Sequence, residues 1–182
     1  MRVSKKRFIY LISPNKIKKS FYNNLNVVLR SNLVSFFQLR LKKYSLIEKE
    51  KIGKKIKKIC KKYKVKLIVN DDPYLAKKIG ADGCHLGQND MVIQEARKIL
   101  RKKIIGITCH NSKKLIRHAI KDGASYIAIG AFFKSKTKKI NYIAKPSLIS
   151  WVKRFTKIPV VTIGGITNKN FAKLLLHKPD FL

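Results

Sequence analysis

Short apolar runs alternate with longer, lysine-rich segments along this chain. The runs 8–12, 34–41, 66–69, 83–86, 103–107, 125–133 and 159–163 are rich in Ile, Val, Phe and Tyr. These residue types fit a pleated, buried surface, and each run is read as a strand. Asp180-Phe181-Leu182 reads as the opening of an eighth. Between the strands, apolar positions recur at helical spacing over about 15–30, 45–63, 73–79, 91–101, 111–122, 146–155 and 167–177. In the second of these, Leu46, Ile47, Ile52, Ile56 and Ile59 form one stripe while lysines take the other faces, so the helix packs on one side only. Boundary signals agree: Ser45 with Glu48 three residues later is a capping-box pattern, Pro73 stands near a helix start, and Gly80 and Gly123 stand where helices give way to the next strand.

Strict alternation of strand and helix with short connections demands a parallel sheet with right-handed crossovers, either open and doubly wound or closed into a barrel. Seven to eight repeats in 182 residues favour a closed α/β barrel, here cut short within the eighth strand at Leu182. The length allows one domain, 1–182, because each half would bury too small a core alone. No apolar run approaches the roughly 20 residues of a bilayer helix. The basic start is followed by only five apolar residues, too few for a signal peptide. Cys60, Cys84 and Cys109 are an odd set without C-x-x-C spacing, which suggests neither a disulfide framework nor a zinc site. A soluble cytoplasmic domain is expected.

Charge changes this picture less than its size suggests. The chain holds 43 Lys+Arg against 9 Asp+Glu, a formal net charge of +34. Such a balance draws polyanions without regard to sequence. Only eight of these cations are arginine, the residue that reads base edges with two parallel hydrogen bonds, and the lysines are spread over the whole chain with many Ile and Asn. A composition bias accounts for that pattern, so no specific nucleic-acid partner and no membrane are expected.

In either α/β architecture ligands bind beyond the C-terminal ends of the strands. The second strand ends Gln38-Leu39-Arg40-Leu41-Lys42, where alternation puts Gln38, Arg40 and Lys42 on one face and the leucines on the other. The third ends Asn70-Asp71-Asp72-Pro73 and the fourth His85-Leu86-Gly87-Gln88-Asn89-Asp90, placing three of nine carboxylates at two neighbouring ends. Asp72 before proline is read as a helix cap. Asp71 and Asp90 are read as a pair that holds Mg²⁺, an ion that takes one or two carboxylates and completes its shell with water and phosphate oxygens. His85 is read as structural or hydrogen-bonding, and His118 and His177 carry no site signature. The fifth strand end offers the Thr108 hydroxyl and a cap at Asn111, and Cys109 there is read as a small buried residue rather than a nucleophile. Lys134-Ser135-Lys136-Thr137-Lys138-Lys139 is dense in donors and suits an anion. Gly164-Gly165 would let backbone N–H groups before a helix approach a phosphate closely.

Taken in order, Q-L-R-x-K, N-D, A-D-G-x-H-L-G-Q-x-D, G-I-T-x-H, G-A-F-F-x-S-x-T-K and I-G-G-I resemble the thiamine phosphate synthase family over nearly the whole chain, from Phe8 to Leu182. The resemblance implies a TIM barrel and a Mg²⁺-dependent transferase. Such an enzyme joins 4-amino-2-methyl-5-pyrimidinylmethyl diphosphate to a thiazole phosphate, giving thiamine phosphate and pyrophosphate. It implies that Gln38, Arg40, Lys42, Asn70, Thr108 and Lys138 contact the pyrimidine diphosphate, with Lys138, Arg40 and Thr108 carrying catalysis. It further implies that Asp71 and Asp90 hold the metal and that Ser135, Thr137 and Gly165 hold the thiazole phosphate. Its partners would be these small molecules, and a homo-oligomer is compatible with it. Leu41 stands where the family often has Asp, Lys134 where it often has Pro, and Ser135 where Thr is usual. The family's serine-containing turn and closing helix would follow Leu182. Two other readings compete: a thiazole-phosphate-binding tautomerase-like relative, and a non-catalytic basic barrel that binds polyanions.

Overall fold

The computed structural model of the protein describes residues 8–134 and 143–182. Strands and helices alternate along it in the order β1 (Ile9–Ile12), α1 (Phe21–Arg30), β2 (Val34–Leu39), α2 (Leu46–Lys62), β3 (Lys66–Asn70), α3 (Pro73–Lys78), β4 (Gly83–Leu86), α4 (Ile93–Leu100), β5 (Ile104–His110), α5 (Lys113–Lys121), β6 (Tyr126–Gly130), α6 (Ser147–Phe155), β7 (Val160–Ile163) and α7 (Ala172–Leu175). The chain's contacts gather into two compact units, taken in turn below.

The first unit comprises the residues up to His85 together with Glu95–Ile104. Its strands β1 to β4 pair in parallel in chain order. Ile12 faces Gln38, Gln38 faces Ile68, and Asn70 faces His85. Leu25 and Leu29 of α1, Ile56 and Cys60 of α2, and Leu75 and Ala76 of α3 are buried with Phe37, Leu67 and Val69 of the strands. Helix α2 starts where the sequence places it: Ser45 Oγ accepts from Glu48 N at 3.3 Å while Glu48 Oε2 accepts from Ser45 N at 2.8 Å, so two of the orphan donors of the helix start are satisfied reciprocally. The start of β3 is fixed by Asp82, whose Oδ2 accepts from Leu67 N at 2.8 Å and from the Lys57 ammonium at 2.6 Å. Burial pushes the Asp82 carboxyl up. The Lys57 and Leu67 hydrogen bonds and the charges of Lys57 and Lys66 outweigh it and hold the group below its ordinary value.

The second unit comprises Leu86–Gln94 and the residues from Ile105 on. Strands β5, β6 and β7 pair in parallel, and Val161 forms a parallel bridge with Phe181, the opening of an eighth strand that the apolar pattern predicts. Ile116, Ala119, Ile149 and Val152 turn inward from α5 and α6 onto buried Ile105, Ile127, Ile129 and Val160. Gly106 is required by packing: the Tyr126 ring fills the space a Cβ would take. Asp180 does for β7 what Asp82 does for β3. Its Oδ2 accepts from Val160 N at 2.9 Å and from the Lys153 ammonium at 2.8 Å.

Four boundaries differ from the sequence pattern by three residues or more. Helix α1 begins at Phe21 rather than near residue 15, because the Ile17 amide donates to the Tyr44 hydroxyl at 2.8 Å instead of entering a helical ladder. Helix α7 shrinks to Ala172–Leu175, because Asn170 Oδ1 accepts from Thr167 N at 2.8 Å and holds the preceding residues in a turn. Strand β5 runs on to His110 through an irregularity between Thr108 and His110. Strand β6 stops at Gly130, whose φ of 150° turns the chain, after which Phe132 and Phe133 donate to the carbonyls of Ile163 and Gly164. Among the described residues no helix is long and apolar enough to cross a membrane.

Candidate active site

At the C-terminal end of β2, Leu39 and Leu41 are buried at 2% and 4% exposure, and alternation puts Gln38 and Arg40 on the opposite face; Lys42 stands in the turn that follows and, contrary to the shared face expected for the three, lines a cavity with the leucines. The three are not equally available. Gln38 is only 3% exposed, and its Nε2 donates to the Tyr10 hydroxyl at 3.3 Å, because Tyr10 stacks on Phe36 and closes over that position. Arg40 and Lys42 lie farther along and reach outward. The Arg40 main chain is held by Ser13 of the neighbouring chain segment, whose Oγ accepts from Arg40 N at 2.8 Å.

The end of β3 supplies Asn70, Asp71 and Asp72. Asp72 is the cap read from the sequence: it accepts from Leu75 N at 2.8 Å with Pro73 in the first helical turn. Asp71 is held differently. Its φ is 65°, its N–H donates to the His85 carbonyl at 2.8 Å, and its Oδ2 lies 3.6 Å from the Lys42 ammonium. The left-handed backbone is one that Asp tolerates better than most residues. Lys42, Lys49, Asn70, Asp71 and Asp72 line a cavity together with Leu39, Leu41, Val69 and Leu75, on the leucine side of β2 and not on the face of Gln38 and Arg40. Leu41 is one of its apolar lining residues. His85 is buried and meets Tyr10 edge-on at 6.5 Å, which fits the structural reading.

In the second unit, Asp90 closes a tight turn after β4. Its Oδ2 accepts from Gly87 N at 2.6 Å, and a Cβ on Gly87 would stand 2.8 Å from that same oxygen, so glycine is what lets the carboxylate fold back. The Gln88 amide donates to the Thr108 carbonyl, tying this turn to β5. Cys109 is buried and burial pushes its thiol up to about 12, so it stays protonated and inert at neutral pH, as its reading predicts. Asn111 is not a cap. Ser112 takes that role by accepting from Leu115 N at 3.3 Å, while Asn111 Nδ2 donates to the Ile143 carbonyl.

Gly164 and Gly165 have φ values of 92° and 66°, a conformation that favours glycine. The close approach they allow is to the chain itself: a Cβ on Gly165 would overlap the carbonyl oxygens of Phe133 and Lys134, and one on Gly164 would overlap Ala131. The pair also does not run straight into a helix, since the turn described above precedes α7; Asn170 Nδ2 steadies it by donating to the Gly165 carbonyl at 2.9 Å. Ser135, Thr137 and Lys138 lie outside the described residues. Sequence reading missed Tyr10, Ser13 and Asn170. Tyr10 and Ser13 carried a faint signal, as the first polar groups on and after an otherwise apolar strand; Asn170 carried none.

Each of the two expected metal ligands carries the hard oxygen donors that Mg²⁺ takes. Asp71 closes β3 and Asp90 follows β4, and both offer hard carboxylate oxygens, one third exposed in the case of the Asp71 side chain. Among the described residues no three His, Cys, Asp or Glu side chains converge.

Known proteins resemble this chain over most of its length. A sequence model of the thiamine monophosphate synthase family (TMP-TENI) matches residues 9–181. The thiamine-phosphate synthase of Pelagibacter ubique is 58% identical over 178 residues, 97% of this chain and 86% of that protein. That of Erythrobacter litoralis is 40% identical over 179 residues, 96% of this chain and 84% of that protein. Among solved structures, thiamine phosphate pyrophosphorylase from Pyrococcus furiosus superposes with a TM-score of 0.85 at 28% identity, covering 97% of this chain and 84% of its own. A 3-hexulose-6-phosphate synthase, 14% identical, shares the fold alone at a TM-score of 0.64 over 95% of this chain and 87% of its own. The fold is therefore the α/β TIM barrel class expected from the alternation. The chain belongs to the thiamine monophosphate synthase family and is a transferase of thiamine biosynthesis.

Proposed function

We propose that the protein condenses 4-amino-2-methyl-5-pyrimidinylmethyl diphosphate with a thiazole phosphate, in the presence of Mg²⁺, to give thiamine phosphate and pyrophosphate. The observation that carries this reading is the edge of the first unit where Lys42 stands 3.6 Å from the Asp71 carboxylate, with Arg40 two residues before Lys42 at the end of β2. A diphosphate brings several negative charges at once. A guanidinium that can make two parallel hydrogen bonds, an ammonium point charge and a carboxylate able to share a divalent cation are the complementary set.

The reaction breaks the C–O bond between the pyrimidine's methylene carbon and the diphosphate, and the electron pair leaves with pyrophosphate. The positive charge left on carbon spreads into the electron-rich aminopyrimidine, and the thiazole ring nitrogen closes the new C–N bond with its lone pair. No protein nucleophile takes part, in keeping with the inert Cys109 thiol. Asp71 and Asp90 would hold Mg²⁺, which would supply charge neutralisation at the phosphate oxygens. Arg40, Lys42 and Lys138 bind and neutralise the departing group, with catalytic roles for Arg40, Lys138 and Thr108. Gln38 and Asn70 fix the pyrimidine substrate's orientation, and Ser135, Thr137 and Gly165 hold the thiazole phosphate. Fixed charge aimed at developing charge is the usual source of most of a rate enhancement. We place the activity in the cytoplasm, where the three free, buried cysteines stay reduced.

Pyrophosphate release with both substrates and Mg²⁺ tests the reading. A tautomerase-like relative would consume the thiazole phosphate without releasing pyrophosphate, and a polyanion-binding barrel would do neither.

A further inference from the structure

Strand β2 loses its regular ladder one residue before the cationic pair begins. Its pairing with β1 ends at Ile12 with Gln38, and its pairing with β3 ends at Leu39 with Val69. Yet Arg40, between buried Leu39 and Leu41, keeps the alternation and faces away from them. Something must hold Arg40 in line without a neighbouring strand before the chain turns at Lys42. Ser13, the residue after β1, does so. Its N–H donates to the Gln38 carbonyl at 2.9 Å, its Oγ accepts from Arg40 N at 2.8 Å, and its hydroxyl faces the Arg40 carbonyl at 3.4 Å. A hydroxyl is suited to this because it donates once and accepts twice, and so serves both backbone groups of one residue. Ser13 is 6% exposed, so water does not readily replace it.

We infer that Ser13 is a positioning residue for Arg40: it stands in for the missing ladder partner and fixes the direction in which the guanidinium leaves β2. The inference rests on the proposed diphosphate-binding role of Arg40. It gives the Ser13 side chain a part in binding without contact with substrate, and it ranks hydroxyl-bearing residues above isosteres at this position. Positioning errors near 1 Å are enough to cost on the order of 100-fold in rate at a reacting centre.

The test is a double-mutant cycle read by pyrophosphate binding with Mg²⁺ in a calorimeter, together with steady-state kinetics for both substrates. Ser13→Ala should weaken pyrophosphate binding and raise the KM for the pyrimidine diphosphate, each by about tenfold, and leave the KM for the thiazole phosphate unchanged. Ser13→Thr should restore both values. In an Arg40→Ala background, Ser13→Ala should have no further effect on pyrophosphate affinity, because it acts only through Arg40. Should the alanine variant not fold, Ser13→Cys carries the same measurements. Wild-type affinity in Ser13→Ala, equal loss of both KM values, or additivity with Arg40→Ala would overturn the inference while leaving the diphosphate reading intact. Wild-type protein that binds no pyrophosphate would overturn both.

Discussion

Lys42 Nζ stands 3.6 Å from Asp71 Oδ2, longer than a hydrogen bond and close enough for each charge to hold the other in place. Lys42 is more than half exposed and Asp71 one third, so the pair contributes little to stability and is available for ligand binding. Asp71→Asn should therefore reduce Mg²⁺-dependent turnover by about 100-fold or more while shifting stability by less than about 1 kcal/mol. Asn is the better substitution because it tolerates the 65° φ at this position. Kinetics in Mg²⁺ and urea unfolding check the two halves separately. Unchanged turnover would remove Asp71 from metal binding.

Removal of Lys42 should act on binding more than on chemistry. Lys42→Met should raise the KM for the pyrimidine diphosphate by roughly tenfold, and the loss should grow smaller as salt is added, because screening weakens the wild-type attraction. A titration of KM against ionic strength for both proteins decides it.

Acid should unlock the strand start that Asp82 secures. Its folded carboxyl lies below the ordinary value, so the stability it contributes is complete above about pH 4 and is lost as pH falls through the lowered folded value. Asp82→Asn should cost about 1–3 kcal/mol at pH 7, because Lys57 and the Leu67 amide lose their charged partner, and should flatten the acid limb of the stability profile. Urea unfolding at pH 7 and pH 3 measures this; an equal deficit at both would contradict the assignment.

These predictions draw on features of unequal visibility. The order of strands and helices, the Ser45–Glu48 cap, the Asp72 cap and the Phe181 opening of an eighth strand are local patterns, and each was readable because period, cap chemistry and turn residues act within a few positions. The roles of Asp82 and Asp180 were not, since each depends on a backbone amide 15 or 20 residues away. Tyr10 over Gln38 and Ser13 over Arg40 span 28 and 27 residues and arise from the register of β1 on β2, which the apolar pattern does not number. The Gly164–Gly165 pair was legible as a special backbone site but not in its partner, because a glycine shows that something comes close and not what.

Gly165→Ala should disturb the loop after β6 directly. The added methyl meets the Phe133 and Lys134 carbonyls at a φ of 66°, so a loss of about 2–4 kcal/mol in stability is expected, with a fall in turnover. Thermal unfolding and kinetics of this variant check both.

Cys109→Ala should leave turnover within about twofold of wild type, since a thiol pushed up to about 12 takes no part at neutral pH. Labelling of the native thiol at pH 8 should be slow until the protein is unfolded.

The most direct measurement is pyrophosphate release by the purified protein, supplied with the pyrimidine diphosphate, the thiazole phosphate and Mg²⁺, before and after chelation. Release that requires both substrates, stops on chelation and returns with added Mg²⁺ is the predicted result. No release with both substrates and Mg²⁺ present, or release indifferent to the thiazole phosphate and to chelation, would contradict the account.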